Sequence, residues 1–291
     1  MAILEVKELH KTVGTFKLKD FSFTLPEGII MGLIGENGSG KSTLLNTILG
    51  IFPKDTGEVH LFEKQAKSLN LQQVEEVGVV LDECNYPLAL TPKQLNNVLK
   101  NVYRSWDESF YFNLLAKLQL SENLKLSAFS KGMKMKFSIA AAMSHRPRLL
   151  ILDEPTSGLD PIIRDEIRQL FLEFVQDESC SILLSSHISA DLEKIADHIT
   201  FIHQGELVFS QSKDQLLEQF GILKCDEKTF LTMDKSGVVA VLKKDYVTEV
   251  LVRDRNNPDY VKLNGVMDDA GIDDIMLMHV KGERYNEGIA D

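Results

Sequence analysis

Residues 32–46 read GLIGENGSGKSTLLN, an apolar run that turns through glycines into a lysine, two hydroxyl residues and a helical pattern. Those residue types at that spacing make a phosphate cradle. Gly35, Gly38 and Gly40, with Glu36, Asn37 and Ser39 between them, let the backbone wrap a polyphosphate so that several amide N–H groups donate to it. The helix that follows turns its positive end toward the same anion. Lys41 is placed to reach the β and γ phosphates, and the Ser42 hydroxyl, with Thr43 beside it, to reach Mg2+, as the pattern GxxxxGK[ST] requires. The competing reading is a Gly-rich turn, against which the strand before and the helix after both argue.

A second group of reactive side chains follows the run RLLILDEP. Four hydrophobic residues, Leu149 to Leu152, precede Asp153 and Glu154, so both carboxylates emerge where an α/β sheet places its ligands. Asp153 suits the holding of Mg2+ through water, and Glu154 suits a general base that orients or deprotonates an attacking water. Alone, the fragment also reads as an acidic pair capping a helix before Pro155; beside a phosphate loop the site reading is the stronger.

The elements that must position these groups follow from periodicity. ILEVKEL alternates as a strand, a turn falls near Val13 and Gly14, and FSFTL leads through Pro26-Glu27-Gly28 into IIMGLIG, the strand that delivers the chain to the loop. GEVHLF and VGVVL read as short strands. Residues 91–120 turn helical, with Val98, Val102, Leu114, Leu115 and Leu118 among the apolar positions, which predicts an inserted helical subdomain at about 83–148. Another helix starts after Ser130 and runs through KMKFSIAAAMSH before Pro147. Beyond RLLILDEP come a helix (RDEIRQLFLEFVQDE), a strand (SILLSSH), a helix (SADLEKIADH) and a hairpin around Gly205. Such alternation predicts an α/β fold, a P-loop NTPase core with a mostly parallel sheet covered by helices, over residues 1–212. Residues 213–291 are expected to form a small C-terminal α+β appendage. The helix KDQLLEQFG connects it, TFLTM, GVVAVLK and VTEVLVR are its strands, and the chain frays from about Glu283.

With 291 residues and 44% hydrophobic content, the chain can bury a full core and a smaller second unit. Its formal net charge of -11 opposes non-specific binding to nucleic acid, and no nucleic-acid partner is expected. Cys84, Cys180 and Cys225 are few and far apart, which suits a reducing compartment better than a disulfide framework or a zinc cluster. No apolar run is long enough to span a bilayer, and the opening MAILEVKELHK has no signal-peptide core, so a cytoplasmic location is expected.

Three further motifs surround the carboxylates: FSKGMKMK (residues 129–136), SGLD (157–160) and SSH (185–187). With the phosphate loop and Asp153-Glu154, they resemble the ATP-binding subunit of ABC transporters over about residues 1–212. Where the family's signature reads LSGGQ, Ser130 and Gly132 keep the phosphate-facing positions and Lys131 and Met133 depart. The SKGMK form is similar to that of ABC-2-type exporters, the YtrB-like branch above all. The resemblance implies that ATP and Mg2+ bind between two cassettes arranged head to tail, in a homodimer or a heterodimer. Ser130 and the amides near Lys131 and Gly132 would then serve the partner's nucleotide, with Lys131 either adding charge there or lying solvated beside Lys134 and Lys136. It implies that Asp160 lies at the dimer seam and that His187 is the switch histidine that contacts the γ-phosphate and positions water with Glu154.

Two further positions depart from the family. An aromatic residue that would stack on adenine is replaced by Val13 in Lys11-Thr12-Val13-Gly14, which leaves Phe16 as the nearest candidate, equally suited to packing on the sheet. Asp82 stands where a glutamine usually touches Mg2+, and reads either as a third metal contact with Ser42 and Asp153 or as a loop carboxylate. The following segment, Cys84 to Leu88, matches the groove that receives a coupling helix, with Tyr86 and Leu88 as contacts, while Trp106 reads as a half-buried anchor. The function implied is that of an ATPase subunit, peripheral on the inner face of the cell membrane, that drives export through a separate transmembrane permease. The rival readings are a soluble ATPase of this class acting on ribosomes or DNA, and a weakly hydrolysing regulatory subunit.

Overall fold

The computed structural model describes residues 1–62, 64–65 and 71–285. Strands β1 (Ala2–Val13) and β2 (Phe16–Pro26) form a hairpin, after which β3 (Ile30–Ile34) runs to the phosphate loop and α1 (Lys41–Ile48) leaves it. β4 (Thr56–Leu61), β5 (Lys64–Gln65), α2 (Leu71–Glu76) and β6 (Val77–Val80) precede the helical lobe of α3 (Pro92–Val102), α4 (Glu108–Lys117) and α5 (Lys131–Met143). The core resumes with β7 (Leu149–Asp153), α6 (Pro161–Phe174), β8 (Ser181–Ser186), α7 (Ser189–Ile195), β9 (His198–His203) and β10 (Glu206–Ser212). The C-terminal unit comprises α8 (Lys213–Gln219), β11 (Phe220–Cys225), α9 (Glu227–Thr232), β12 (Val238–Lys243), β13 (Thr248–Arg253), α10 (Pro258–Val261), β14 (Gly265–Asp269), α11 (Ile272–Lys281) and β15 (Glu283–Arg284).

Ten strands make the main sheet, in the order β5-β4-β1-β2-β10-β9-β3-β8-β7-β6, and β9, β3, β8, β7 and β6 run parallel. β3, β7 and β8 are buried along their whole length, as strands covered on both faces must be. Their side chains alternate between two cores. Ile30, Ile34, Leu150, Leu152, Ile182 and Leu184 join the cluster under the helical lobe, whereas Met31, Leu33, Leu149, Ile151 and Leu183 join the one shared with α1 and the β1–β2 hairpin. The register pairs Ile34 with Ser186 and Asp153 with Ser185, so the three strands finish at one level. Gly35, Glu154 and His187 therefore leave the sheet side by side.

A second, antiparallel sheet, β14-β11-β13-β12-β15, belongs to the C-terminal unit. One face packs Leu223, Val241, Val250 and Val252 against Phe230 and Tyr260. Ile222, Ala240 and Leu251 from the other face join Ile272, Ile275 and Met278 in the large cluster that runs on into Leu192, Ile199, Phe201 and Phe209 of the core. The two parts thus share one continuous apolar interior.

Several expectations are corrected. TFLTM is not a strand: Asp226 accepts a hydrogen bond from Thr229 N at 2.7 Å and caps α9, which buries Phe230, so the cap outweighs the β-branched content. Val98 and Val102 face solvent, 49% and 61% exposed, because α3 turns Leu95, Asn96 and Leu99 inward. The chain does not fray at Glu283, since Glu283 and Arg284 pair with β12; the remainder of that tail, residues 286–291, lies outside the described residues. Trp106 is half-buried and donates its indole N–H to Asn96 Oδ1 at 2.8 Å, anchoring the lobe.

Candidate nucleotide site

The phosphate loop is built from close backbone approaches. Gly40 has φ +114°, a conformation open to glycine, and a Cβ there would lie 2.6 Å from Phe16 Cζ. Phe16 is therefore tied to the loop by packing over Gly40, on the edge of the β1–β2 core. Val13, 40% exposed, offers no ring. Gly35, Ser39 and Gly40 are buried while Glu36, Asn37 and Gly38 form the exposed tip. No side chain caps the start of α1, so its first amides are left to the loop. Ser39 Oγ is buried and has no hydrogen-bond partner among the described residues, which suits a cradle for an anion's oxygens.

Lys41 is 6% exposed, and its ammonium donates to Gly35 O at 2.7 Å and Glu36 O at 3.2 Å. Its third neighbour is Glu154 Oε1, 3.3 Å away. The other oxygen, Glu154 Oε2, lies 2.6 Å from His187 Nδ1 and accepts from His187 N at 3.3 Å. One carboxylate thus joins the lysine of the loop to the histidine after β8. The backbone is bent to place it, for Glu154 has φ +50°, a left-handed conformation that costs a non-glycine residue about 1–3 kcal/mol. Glu154 N donates to Ser185 Oγ at 3.0 Å, and Ser185 Oγ donates to Asp153 Oδ1 at 2.6 Å, so one serine orients both acids.

Asp153 is buried at the carboxyl end of β7, and Ser42 is exposed in the first turn of α1, just past the loop. A carboxylate and a hydroxyl are the hard oxygen donors Mg2+ prefers, and the ion ordinarily completes its shell with phosphate oxygens and water. Among the described residues no group of three or more His, Cys, Asp or Glu could hold a metal. Asp82 lines a recess of about 400 Å3 with Glu83, Cys84, Lys131, Lys134 and Met135.

The remaining motif residues lie around α5 and α6. Ser130 caps α5, accepting from Met133 N at 3.2 Å, and Lys131 is exposed. The Lys131 ammonium would stand 3.0 Å from a Cβ on Gly158, so it reaches over the SGLD turn. Gly132 is buried, and a Cβ there would meet Ile163 Cδ1 at 2.5 Å; its smallness lets α5 lie against α6. Asp160 caps α6 by accepting from Ile162 N and Ile163 N, both at 3.1 Å. Tyr86 leans edge-on against Phe137 at 5.2 Å, and burial pushes its phenol's pKa up, whereas Leu88 is 43% exposed.

Two contributors were missed from sequence. Ser185 carried a signal, the first of two hydroxyl residues that follow the apolar run Ile182–Leu184 in the strand beside the one that ends in Asp153. His203, whose Nδ1 lies 2.6 Å from Glu36 Oε1, carried none, because β9 becomes the loop's neighbour through the sheet order alone.

Known proteins resemble this chain in sequence and in fold. The family model described as ABC transporter matches residues 18–157. The ABC transporter ATP-binding protein YtrB of Bacillus subtilis (strain 168) is 31% identical over 219 residues, 75% of each chain. The lantibiotic transport ATP-binding protein SrtF of Streptococcus pyogenes is 32% identical over 216 residues, 73% of this chain and 92% of that one. Among solved structures, the ATP-binding subunit of an ABC transporter superposes with a TM-score of 0.67 at 27% identity, covering 74% of this chain and 91% of that chain. No helix among the described residues is long and apolar enough to cross a membrane. With its phosphate loop, paired acids and histidine in one place, the chain belongs to the family of ABC transporter ATP-binding proteins, whose members hydrolyse ATP.

Proposed function

We propose that this chain hydrolyses Mg·ATP within a head-to-tail pair of cassettes and so drives export through a separate transmembrane permease, on whose inner face it docks. The observation that carries this reading is the Glu154 carboxylate held between His187 Nδ1 at 2.6 Å and Lys41 Nζ at 3.3 Å at the edge of the phosphate loop.

Residues 35–43 cradle the triphosphate, with the first amides of α1 and the Lys41 ammonium facing its charge. Ser42 and Asp153 hold Mg2+, which when bound neutralises phosphate charge. Glu154 takes a proton from the attacking water as its oxygen bonds to the γ-phosphorus and the bond to the β–γ bridging oxygen breaks, giving ADP and phosphate. His187 orients Glu154 and the γ-phosphate.

Across the pair, Ser130 and the amides at Lys131 and Gly132 approach the partner's γ-phosphate at the start of α5, and Asp160 lies at the seam. Lys131 extends the positive surface there. Phe16 supports the loop beneath Gly40 and borders the base. Asp82 adds a carboxylate beside Ser42 and Asp153 for the metal and links that contact to the permease contact at Tyr86 and Leu88. A relative named as a lantibiotic transport ATP-binding protein supports the transport role.

Mixing two inactive variants tests the composite site. Lys41→Met spoils the phosphate loop but leaves the signature intact, and Ser130→Arg does the reverse. Each alone is expected to be inactive, while a mixture forms heterodimers with one competent site and regains turnover. A mixture as inactive as its parts would show that Ser130 serves its own subunit's nucleotide.

A further inference from the structure

The switch histidine stands two residues before α7, a helix of only seven residues. A helix that short gains little from its own hydrogen bonds and depends on neighbours for its position. Three neighbours hold it. Gly32 on β3 leaves room for Leu192, whose Cδ1 would be 2.9 Å from a Cβ at that position, so α7 is seated on the strand that leads to the phosphate loop. On the α6 side, Arg168 Nη1 donates to Asp191 Oδ1 at 2.6 Å in a buried ion pair.

The third contact comes from the C-terminal unit. Glu193 Oε1 accepts a hydrogen bond of 2.9 Å from Ile272 N, the first residue of α11, where unpaired helix amides and the positive end of the helix dipole favour a carboxylate. The carbonyl of the same residue accepts from Lys213 Nζ at 2.9 Å. Leu192 and Ile195 pack in one cluster with Ile272, Ile275 and Met278. Asp197, just beyond α7, accepts from Lys213 N through its carbonyl and from Ile30 N through Oδ2 at 2.9 Å, which ties the start of α8 to the start of β3.

We infer that the C-terminal unit is a brace for the hydrolytic site: through Glu193 it fixes α7, and α7 holds the His187 imidazole on the Glu154 carboxylate. Glu193 is a positioning residue. It acts through His187, and the inference rests on the reading of His187 and Glu154 as the pair that activates water. Small displacements of positioned groups cost large factors in rate, up to about a hundredfold for 1 Å.

The test is a kinetic cycle on the full chain. Glu193→Ala removes the acceptor for Ile272 N and is expected to lower kcat about tenfold, an intermediate misplacement, with the KM for ATP little changed. Glu193→Gln keeps an oxygen in the same place and restores kcat. In a His187→Ala background, measured by single turnover with protein in excess, Glu193→Ala brings no further loss, because the group it positions is gone. Equal fractional losses in both backgrounds, or a parallel rise in KM, overturn the brace and leave the reading of His187 intact. A His187→Ala chain that turns over at the unaltered rate overturns that reading and the brace with it. Thermal unfolding of each variant identifies a loss that comes from a fraction of unfolded chain, and a kcat loss that disappears once that fraction is corrected for also overturns the brace.

Discussion

Replacing Glu154 by glutamine separates the two jobs its carboxylate performs. The side chain keeps its length and an acceptor oxygen, so the 2.6 Å contact with His187 survives, and the left-handed backbone at φ +50° is retained at the same strain. Two things change. The proton acceptor for the attacking water is lost, which for a positioned general base is worth about 10²- to 10⁴-fold in rate, or about 3–5 kcal/mol of barrier. The charge beside Lys41 is lost as well. At 3.3 Å and an effective dielectric of about 20 the Coulomb attraction of the pair is about 5 kcal/mol before the cost of desolvation, so even a small remainder matters. Glutamine frees Lys41 from that attraction and removes a negative group from beside the triphosphate. Turnover is therefore expected to fall by two to four decades while ATP binding tightens, and the doubly occupied pair accumulates. Single-turnover phosphate release, equilibrium binding of ATP, and gel filtration with Mg·ATP measure the three consequences separately. Unchanged turnover would falsify the general-base assignment. A large fall in turnover together with weakened ATP binding would show that the carboxylate supports the lysine more than it opposes the phosphate.

Two further perturbations test the surroundings. Gly40→Ala forces a Cβ into a backbone at φ +114° and to 2.6 Å from Phe16 Cζ, so a cost of about 1–3 kcal/mol concentrated in the loop is expected, seen as weaker ATP binding and a lowered melting temperature. His279 on α11 sits among Phe201 and Phe209, and its pKa is pushed down to about 4 by burial first, then by the charges of Arg284, His203 and Arg253. Because the folded value lies below the unfolded one, its contribution is complete above about pH 6.5 and is lost as the pH falls toward 4, by about 3 kcal/mol in all. Urea unfolding at neutral and acid pH should accordingly show a smaller acid loss in His279→Leu than in the unaltered chain. His145 and His198, lowered by burial in the same sense, continue to contribute in both.

What was legible in the sequence was whatever local spacing dictates. The glycines, Lys41 and Ser42 fall within one short stretch, residues 35–42, and Asp153 and Glu154 end a run too apolar to be anything but a buried strand, so their chemistry could be read without knowing the fold. The meeting of Glu154 with His187 followed from family resemblance, and its physical cause, the common level at which β3, β7 and β8 end, belongs to sheet register. Long-range pairings were invisible. Nothing near Glu193 announces that a helix some eighty residues later will offer it an N–H, and nothing near His203 announces Glu36. Local signals also misled where two rules competed. TFLTM has the composition of a strand, yet the Asp226 cap decides, and Val98 and Val102 fit a helical repeat whose buried stripe is set by Leu95 and Leu99.

The shared apolar interior bears on how this chain can be handled. The C-terminal unit, read from sequence as an appendage, covers Phe201, Phe209 and Ile199 with residues of α8, β11 and α11. A chain cut after Ser212, at the end of the cassette motifs, would uncover that surface in one stroke and leave a sticky patch of the kind that drives aggregation. An expression fragment meant to isolate the ATPase should therefore include α11, and the whole chain should melt in a single step rather than shed its tail first.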